Sequence, residues 1–380
     1  MRPGVKILVV SYFLAVLLLF LYSFTQVDLN LTLSRVSIWQ DIQKWFMYIG
    51  YYKRPLSTAI FVSILVALYT QYALFLRLST SKLLSTKLLM RIIILTGVVL
   101  LFSYPAFSHD IFNYMFSAKT IIKYGQLPYF APPMNFPDDP WLNFMRWIHI
   151  PGTYPPLWIL LTLPMYLISL NKIVLLIINF KLLAVAAYLG SSFLIGKIMQ
   201  RINYRCWKAA VVSFALNPLV IIESLVSGHN DVVMAFWMLI SIYLWQQRER
   251  LFGVFTLSIS VGMKWMSIFL LPLVIVGPRR LLSLVLMVLG LSLVLTRREF
   301  LPWYWIWIAP LISLNVDRKF IFIPGVALSF GLLLRYTPFL YLGNWDPPVP
   351  MIKFWVTVIP LVTSAIMVIL FSYVQKLQKK

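Results

Sequence analysis

Apolar runs recur along this chain from one end to the other, separated by short polar interruptions. A helix needs roughly 20 apolar residues to cross a bilayer, and runs near that length occupy residues 7–24, 56–75, 92–107, 173–195 and 354–373 most clearly. Arg2 and Lys6 precede the first run, as they would in a signal peptide. Its apolar stretch is too long for a typical signal core and no small-residue cleavage site follows, so the run is expected to remain as an anchor. Shorter apolar segments lie near 155–170, 209–226, 232–245, 251–263, 265–276, 281–295, 303–314 and 320–334. Together they predict an all-α polytopic transmembrane bundle of about 11–13 membrane segments. The bundle is expected to form one domain over residues 1–380, with no internal repeat or heptad.

The longest polar stretch is 108–153, which Pro128, Pro132, Pro133, Pro137 and Pro140 divide into short pieces. Within it, 110–123 has the pattern of an amphipathic helix. Ser108 is placed to cap its N-terminus and Gly125 to end it. Residues 251–263 and 265–276 are each short for a span, and a hairpin with Lys264 at the outer turn suits the flanking charges better than one long helix. Between 155 and 195 two apolar segments compete for what must be an odd number of crossings. One of them is expected to be re-entrant or interfacial.

Composition fixes the class. Hydrophobic residues make up 61% of the 380 and charged residues only 12%, against about 25% charged in a typical soluble domain. The net charge of +22 raises nucleic acid as a partner, but the cations sit in clusters between apolar segments. These are Arg77/Lys82/Lys87/Arg91, Lys197/Arg201/Arg205/Lys208, Arg248/Arg250, Arg279/Arg280, Arg318/Lys319 and Lys376/Lys379/Lys380. That is the distribution of cytoplasmic loops facing anionic lipid, with no basic groove interleaved with aromatics. The lipid bilayer, not nucleic acid, is the expected partner. With those clusters inside, both termini are cytoplasmic, and 108–153 and 223–231 share the non-cytoplasmic face. Cys206 is the only cysteine, which excludes an intrachain disulfide and a multi-cysteine metal site.

Eleven acids remain to be placed. Glu249 and Asp317 sit beside arginines and read as charge balance, while Asp138, Asp139 and Asp346 sit in Pro-rich turns. Asp110 begins the amphipathic stretch, where the helix dipole favours a negative charge. Glu223 interrupts the run Val220-Ile-Ile-Glu-Ser-Leu-Val226, and an ionisable residue there is costly enough to suggest a function. Gly228-His-Asn-Asp231 follows at once, although Asp231 could equally serve the start of the next helix.

The order of motifs resembles the GT-C glycosyltransferases, most closely the multi-pass polyprenyl-phosphate-mannose-dependent mannosyltransferases. The matching pieces are Ser108-His-Asp-Ile-Phe-Asn-Tyr114, Gly125-Gln-Leu-Pro-Tyr129, Tyr154-Pro-Pro-Leu157, Asn217-Pro-Leu219, Glu223, Gly228-His-Asn-Asp231, Lys264 and Pro302-Trp-Tyr304. The resemblance implies transfer of a hexose, mannose first, from a polyprenyl-phosphate carrier to a glycan or lipid-linked acceptor at the non-cytoplasmic face. An acid in the first large outer loop would be catalytic, and Asp110 matches that position. The family's second nearby acid is replaced here by Ser108 and His109, so no acid pair beside Asp110 supports a divalent metal.

An inverting transfer needs a base for the acceptor hydroxyl and cations for the departing phosphate. Asp110 is the candidate base, and Lys264, Arg297 and Arg298 are candidates for the phosphate. His109, Tyr154, Glu223, His229, Asn230 and Asp231 are expected to hold sugar hydroxyls or orient the acceptor. Trp303, Tyr304, Trp305 and Trp307 could stack on a sugar, but they read first as an interfacial aromatic belt. The competing function is a transporter or flippase of lipid-linked or small polar substrates, which would favour inverted repeats and broken mid-membrane helices.

Overall fold

The computed structural model describes residues 2–378, with the backbone alone at Lys376. Lys379 and Lys380, which the sequence pattern assigned to the inside with Lys376, lie outside the described residues. The described chain is 76% helical and contains no strand, as an all-α bundle requires. Five helices are long and apolar enough to cross a membrane, or six if one bent pair counts as a single span.

The first part of the chain comprises α1 (Pro3–Ser23), α2 (Ser37–Tyr52), α3 (Arg54–Ser79), α4 (Thr86–Leu101) and α5 (Asp110–Tyr124). α1 is apolar on every side, and Pro3 at its first turn forgoes an N–H that would have had no partner. α2 is amphipathic. It exposes Ile38, Trp39, Ile42 and Trp45 along one stripe, and its other side seats on residues 24–26. Gly50 permits that approach, because a Cβ there would collide with the Thr25 carbonyl.

The middle comprises α6 (Pro156–Ile168), α7 (Ile173–Ile202), α8 (Trp207–Ala215), α9 (Pro218–Val220) and α10 (Asp231–Gln246). α6, at 13 residues, rises only about 20 Å, short of the ~30 Å hydrocarbon layer. α7, at 30 residues, exceeds it. The uneven pair expected between 155 and 195 therefore resolves into one full-length helix and one short one. α7 is the hub, packing against α4, α5, α6, α8 and α10. At its centre Lys181 is fully buried, and its ammonium donates to the carbonyls of Leu100 and Ser103 and to the Ser103 hydroxyl. The end of α4 is thereby tied down where the chain turns towards Asp110.

The last part comprises α11 (Arg250–Met263), α12 (Leu273–Val276), α13 (Arg280–Leu295), α14 (Ala309–Leu314), α15 (Lys319–Leu334), α16 (Thr337–Leu342) and α17 (Val349–Leu377). Residues 251–276 are not two matched helices. α11 breaks at Lys264, whose backbone is extended, and a 3₁₀ stretch Trp265–Leu270 leads to the four-residue α12. Pro272 removes the N–H that a continuing helix would need at that point. α15 and α17 cross closely at Gly331, where a Cβ would lie 2.6 Å from the Val356 carbonyl oxygen. α17 exposes Phe354, Ile359, Met367 and Leu370, which is unfavourable in water and natural against lipid.

Candidate functional site

Three separated segments meet in one polar cluster. α5 brings Asp110. The helix boundary falls at His109, one residue past the cap expected at Ser108, and His109 makes no side-chain cap; the Ser108 hydroxyl instead accepts from the Asp110 N–H at 3.2 Å. At the far end Gly125 takes a left-handed φ of +64° and closes the helix as predicted.

The second segment runs from Asn217 to Asp231. The Asn217 side chain accepts from the Leu219 N–H at 2.9 Å to start α9. The backbone then widens into a π-helical stretch, Ile221–Val226, a geometry that often accompanies functional sites. Gly228 (φ +72°) turns the chain into α10, and a Cβ on it would lie 3.1 Å from Ile111 of α5. The glycine thus lets this turn sit against α5. The third segment is the extended break at Lys264.

His229 stands at the centre with a fully buried side chain. Its Nδ1 lies 3.6 Å from Asp110 Oδ2 and 3.9 Å from Asp231 Oδ2, and its Nε2 lies 3.4 Å from Glu223 Oε2. Neither imidazole nitrogen has a hydrogen-bond partner, nor does Glu223 Oε2 or Asp231 Oδ2. Lys264 donates to Asp231 Oδ1 at 2.6 Å and to Asn230 Oδ1 at 3.4 Å. The Asp110 side chain is 21% exposed, while those of Glu223, His229 and Asp231 are at zero. Asp110 therefore offers the cluster an accessible carboxylate edge. Burial pushes its pKa up to about 6, with Lys264 opposing the rise and Asp231 adding to it.

Not every predicted residue joins the cluster. Tyr154 sits edge-on to Tyr114 at 4.7 Å and its carbonyl accepts from Tyr129. Burial, with the Asp110 and Asp231 charges, holds its phenol well above the usual range. His109 packs against Phe112 at 5.4 Å, and burial, assisted by the Arg146 charge, lowers its pKa to about 4. Its side chain makes no hydrogen bond to the cluster. Arg298 is exposed and makes no hydrogen bond to the cluster, and Tyr304 stacks at 4.3 Å on Trp307 beside Asp231. Arg297 is exposed and makes no contact with the cluster.

Other members of the cluster were hidden in the sequence. Trp303 stacks on His229 at 4.3 Å and 19°. The Trp307 indole donates to Asp231. Tyr304, Trp305 and Trp307 are buried, so this aromatic run belongs to the protein interior and not to a lipid-facing belt. The Tyr336 hydroxyl donates to Glu223 Oε1 at 2.8 Å, and the Tyr114 hydroxyl donates to Asn230 Oδ1 at 3.2 Å. Pro302 just before Trp303 and Trp307, spaced four apart, was the only available signal for the tryptophans. Tyr336 had none. Asp139, read as a turn residue, is instead buried in an ion pair of 2.6 Å with Lys119 and accepts from the Tyr124 hydroxyl. Among the described residues no group of three or more His, Cys, Asp or Glu is arranged to hold a metal ion.

The family described as "Alpha-(1->6)-mannopyranosyltransferase, N-terminal domain" matches residues 13–280, well over half of the chain. No curated protein and no solved structure matches it.

Proposed function

We propose, on the premise that the chain belongs to this alpha-(1->6)-mannopyranosyltransferase family, that it moves mannose from a polyprenyl-phosphate carrier to a glycan or lipid-linked acceptor by one inverting displacement. The observation that carries the reading is the junction of a partly exposed carboxylate, Asp110, with the Lys264–Asp231 pair 2.6 Å long. A partly exposed carboxylate and an ammonium thus face the same buried cluster around His229 and Asp231.

In this reading Asp110 takes the proton from the acceptor hydroxyl as that oxygen bonds to the anomeric carbon, a role worth about 10²–10⁴-fold in rate. The bond from that carbon to the carrier phosphate breaks with its electron pair going to the phosphate. Lys264 supplies the cation for the charge that develops, and Arg298, exposed near the same aromatic run, is the second candidate. Asn230, buried and bonded to Tyr114, Lys264 and the Met263 carbonyl, braces the cluster, and Tyr154 packs beside it. A single displacement inverts the anomeric centre, so an α-linked product requires a β-linked mannosyl phosphate. The cation clusters support a cytoplasmic position for both termini, with the site on the opposite face.

The test uses the purified protein in lipid nanodiscs with a synthetic β-mannosyl prenyl phosphate and an alkyl α-mannoside as acceptor. Transfer should occur with this donor, and not with its α anomer or with a nucleotide-linked mannose. Asp110→Asn should lower it by at least 10²-fold. Equal turnover of a nucleotide-linked donor, or an undiminished Asp110→Asn enzyme, would overturn the reading.

A further inference from the structure

We infer that His229, held by Glu223, is a proton relay behind Asp110 and not a sugar ligand. The inference rests on the reading of Asp110 as the base and deepens it. His229 is completely buried, its face is covered by Trp303 at 4.3 Å, and its Nδ1 and Nε2 lie 3.6 Å and 3.4 Å from carboxylate oxygens of Asp110 and Glu223. A residue closed in this way has no free edge for a sugar hydroxyl.

At rest the Nδ1 position is open for a proton. A neutral imidazole carries one N–H and one lone pair. With the N–H on Nε2 facing Glu223, the Nδ1 lone pair would face Asp110 at 3.6 Å and Asp231 at 3.9 Å. A lone pair opposed to ionised carboxylates in a buried site is repulsive, so Nδ1 is the acceptor for a proton that arrives at Asp110 during transfer. The charged and titratable groups facing His229 are Asp110 from α5, Glu223 from the π-helical stretch, Asp231 from the start of α10 and Lys264 from the break after α11. Three acids face one lysine and the imidazole, and Lys264 is committed to Asp231 at 2.6 Å. Glu223 is fixed through its other oxygen by Tyr336. Its Oε2 is therefore kept free for Nε2.

The relay balances as follows. The acceptor proton passes to Asp110 and then to His229 Nδ1, leaving an imidazolium between Asp110 and Glu223. No bond to carbon forms or breaks on His229, and the proton returns through Asp110 to solvent once product leaves. The gaps of 3.4 and 3.6 Å exceed a normal hydrogen bond, and such contacts commonly tighten only when substrate binds.

The experiment compares wild type, Asp110→Asn, His229→Gln and Glu223→Gln in nanodiscs, with the mannosyl prenyl phosphate and alkyl mannoside as probes. His229→Gln should lower kcat at least tenfold while leaving KM for both substrates within threefold. Glu223→Gln, an isosteric change, should displace the acid limb of the kcat profile. A His229→Gln enzyme with unchanged kcat and a raised KM would make His229 a sugar ligand and overturn the relay, even with Asp110→Asn inactive. If Asp110→Asn is fully active, the base reading itself fails.

An activity-free measurement runs in parallel. The chain has three histidines, so ¹⁵N-histidine labelling gives three resolvable imidazoles, assigned with His109→Gln and His149→Gln. The remaining signal should change its protonation midpoint in both Asp110→Asn and Glu223→Gln. A midpoint unmoved by either substitution would overturn the relay whatever the rates show.

Discussion

Asp110 can act as a base only when ionised, and its surroundings pull that form in two directions. Burial disfavours the charge and Lys264 favours it, leaving a carboxyl pKa of about 6. Transfer should therefore fall as pH drops through about 6, because the base becomes protonated. Replacing Lys264 by Met removes the influence that lowers this pKa. The acid limb should then move to higher pH, a direction that a pH series of kcat/KM reads directly. An acid limb that moved down would contradict the placement of Lys264. Asp110 and Glu223 were legible in the sequence because a charge in an apolar run is conspicuous whatever the fold. Tyr336 was not, since one tyrosine among 20 becomes a ligand of Glu223 only after α15 and α16 are packed. Arg297 shows the converse: an outer-facing cation in sequence whose side chain does not reach the cluster.

Whole elements are held by contacts that periodicity cannot reveal. The outer loop is stapled by Lys119 and Asp139, with the ammonium 3.9 Å from the Trp141 ring centre and the Tyr124 hydroxyl on the same carboxylate. Removing one partner of a buried pair leaves an uncompensated charge, at a cost of about 3–5 kcal/mol. Lys119→Met should accordingly expose the loop 125–153 to limited proteolysis and lower Tm. Resistance equal to wild type would show that the pair is dispensable. At the α15–α17 crossing, Gly331→Val forces a side chain against backbone atoms, and overpacking of this kind costs about 1–3 kcal/mol. A thermal-shift measurement should register the loss, and an unchanged Tm would mean that the crossing relaxes freely. The helix 110–124 was readable because its amphipathic pattern and Gly125 agree. Segment 251–276 was misread in detail because apolar content alone does not distinguish a helix from the 3₁₀ path Trp265–Leu270. Trp303–Trp307 resembles a belt for the same reason: hydrophobicity does not say whether the neighbour is lipid or protein.

For the molecule as a whole, the sequence conveyed the all-helical class and the expectation that Asp110 and 223–231 share one face, since both follow from hydrophobic length and charge; that they touch through His229 came only from the fold. It did not convey that α7 alone among the segments between 155 and 202 has full spanning length. Sidedness can be tested with the protein's own chemistry. Cys206 is the single cysteine and is half-buried beside the Lys197–Lys208 cluster. In sealed right-side-out vesicles an impermeant maleimide should spare Cys206. A cysteine placed at the exposed Asn143 in a Cys206→Ser background should react. Reversal of that pattern would invert the orientation. The split of the site along the chain has a different consequence. Residues 13–280 carry the family match, yet Trp303, Trp307 and Tyr336, which clasp His229, Asp231 and Glu223, all lie beyond it. The polar cluster is therefore not portable at that boundary. In a chimera built at residue 280, the grafted half inherits the acids but loses their aromatic partners, unless the donor of the other half supplies an indole and a phenol at matching positions.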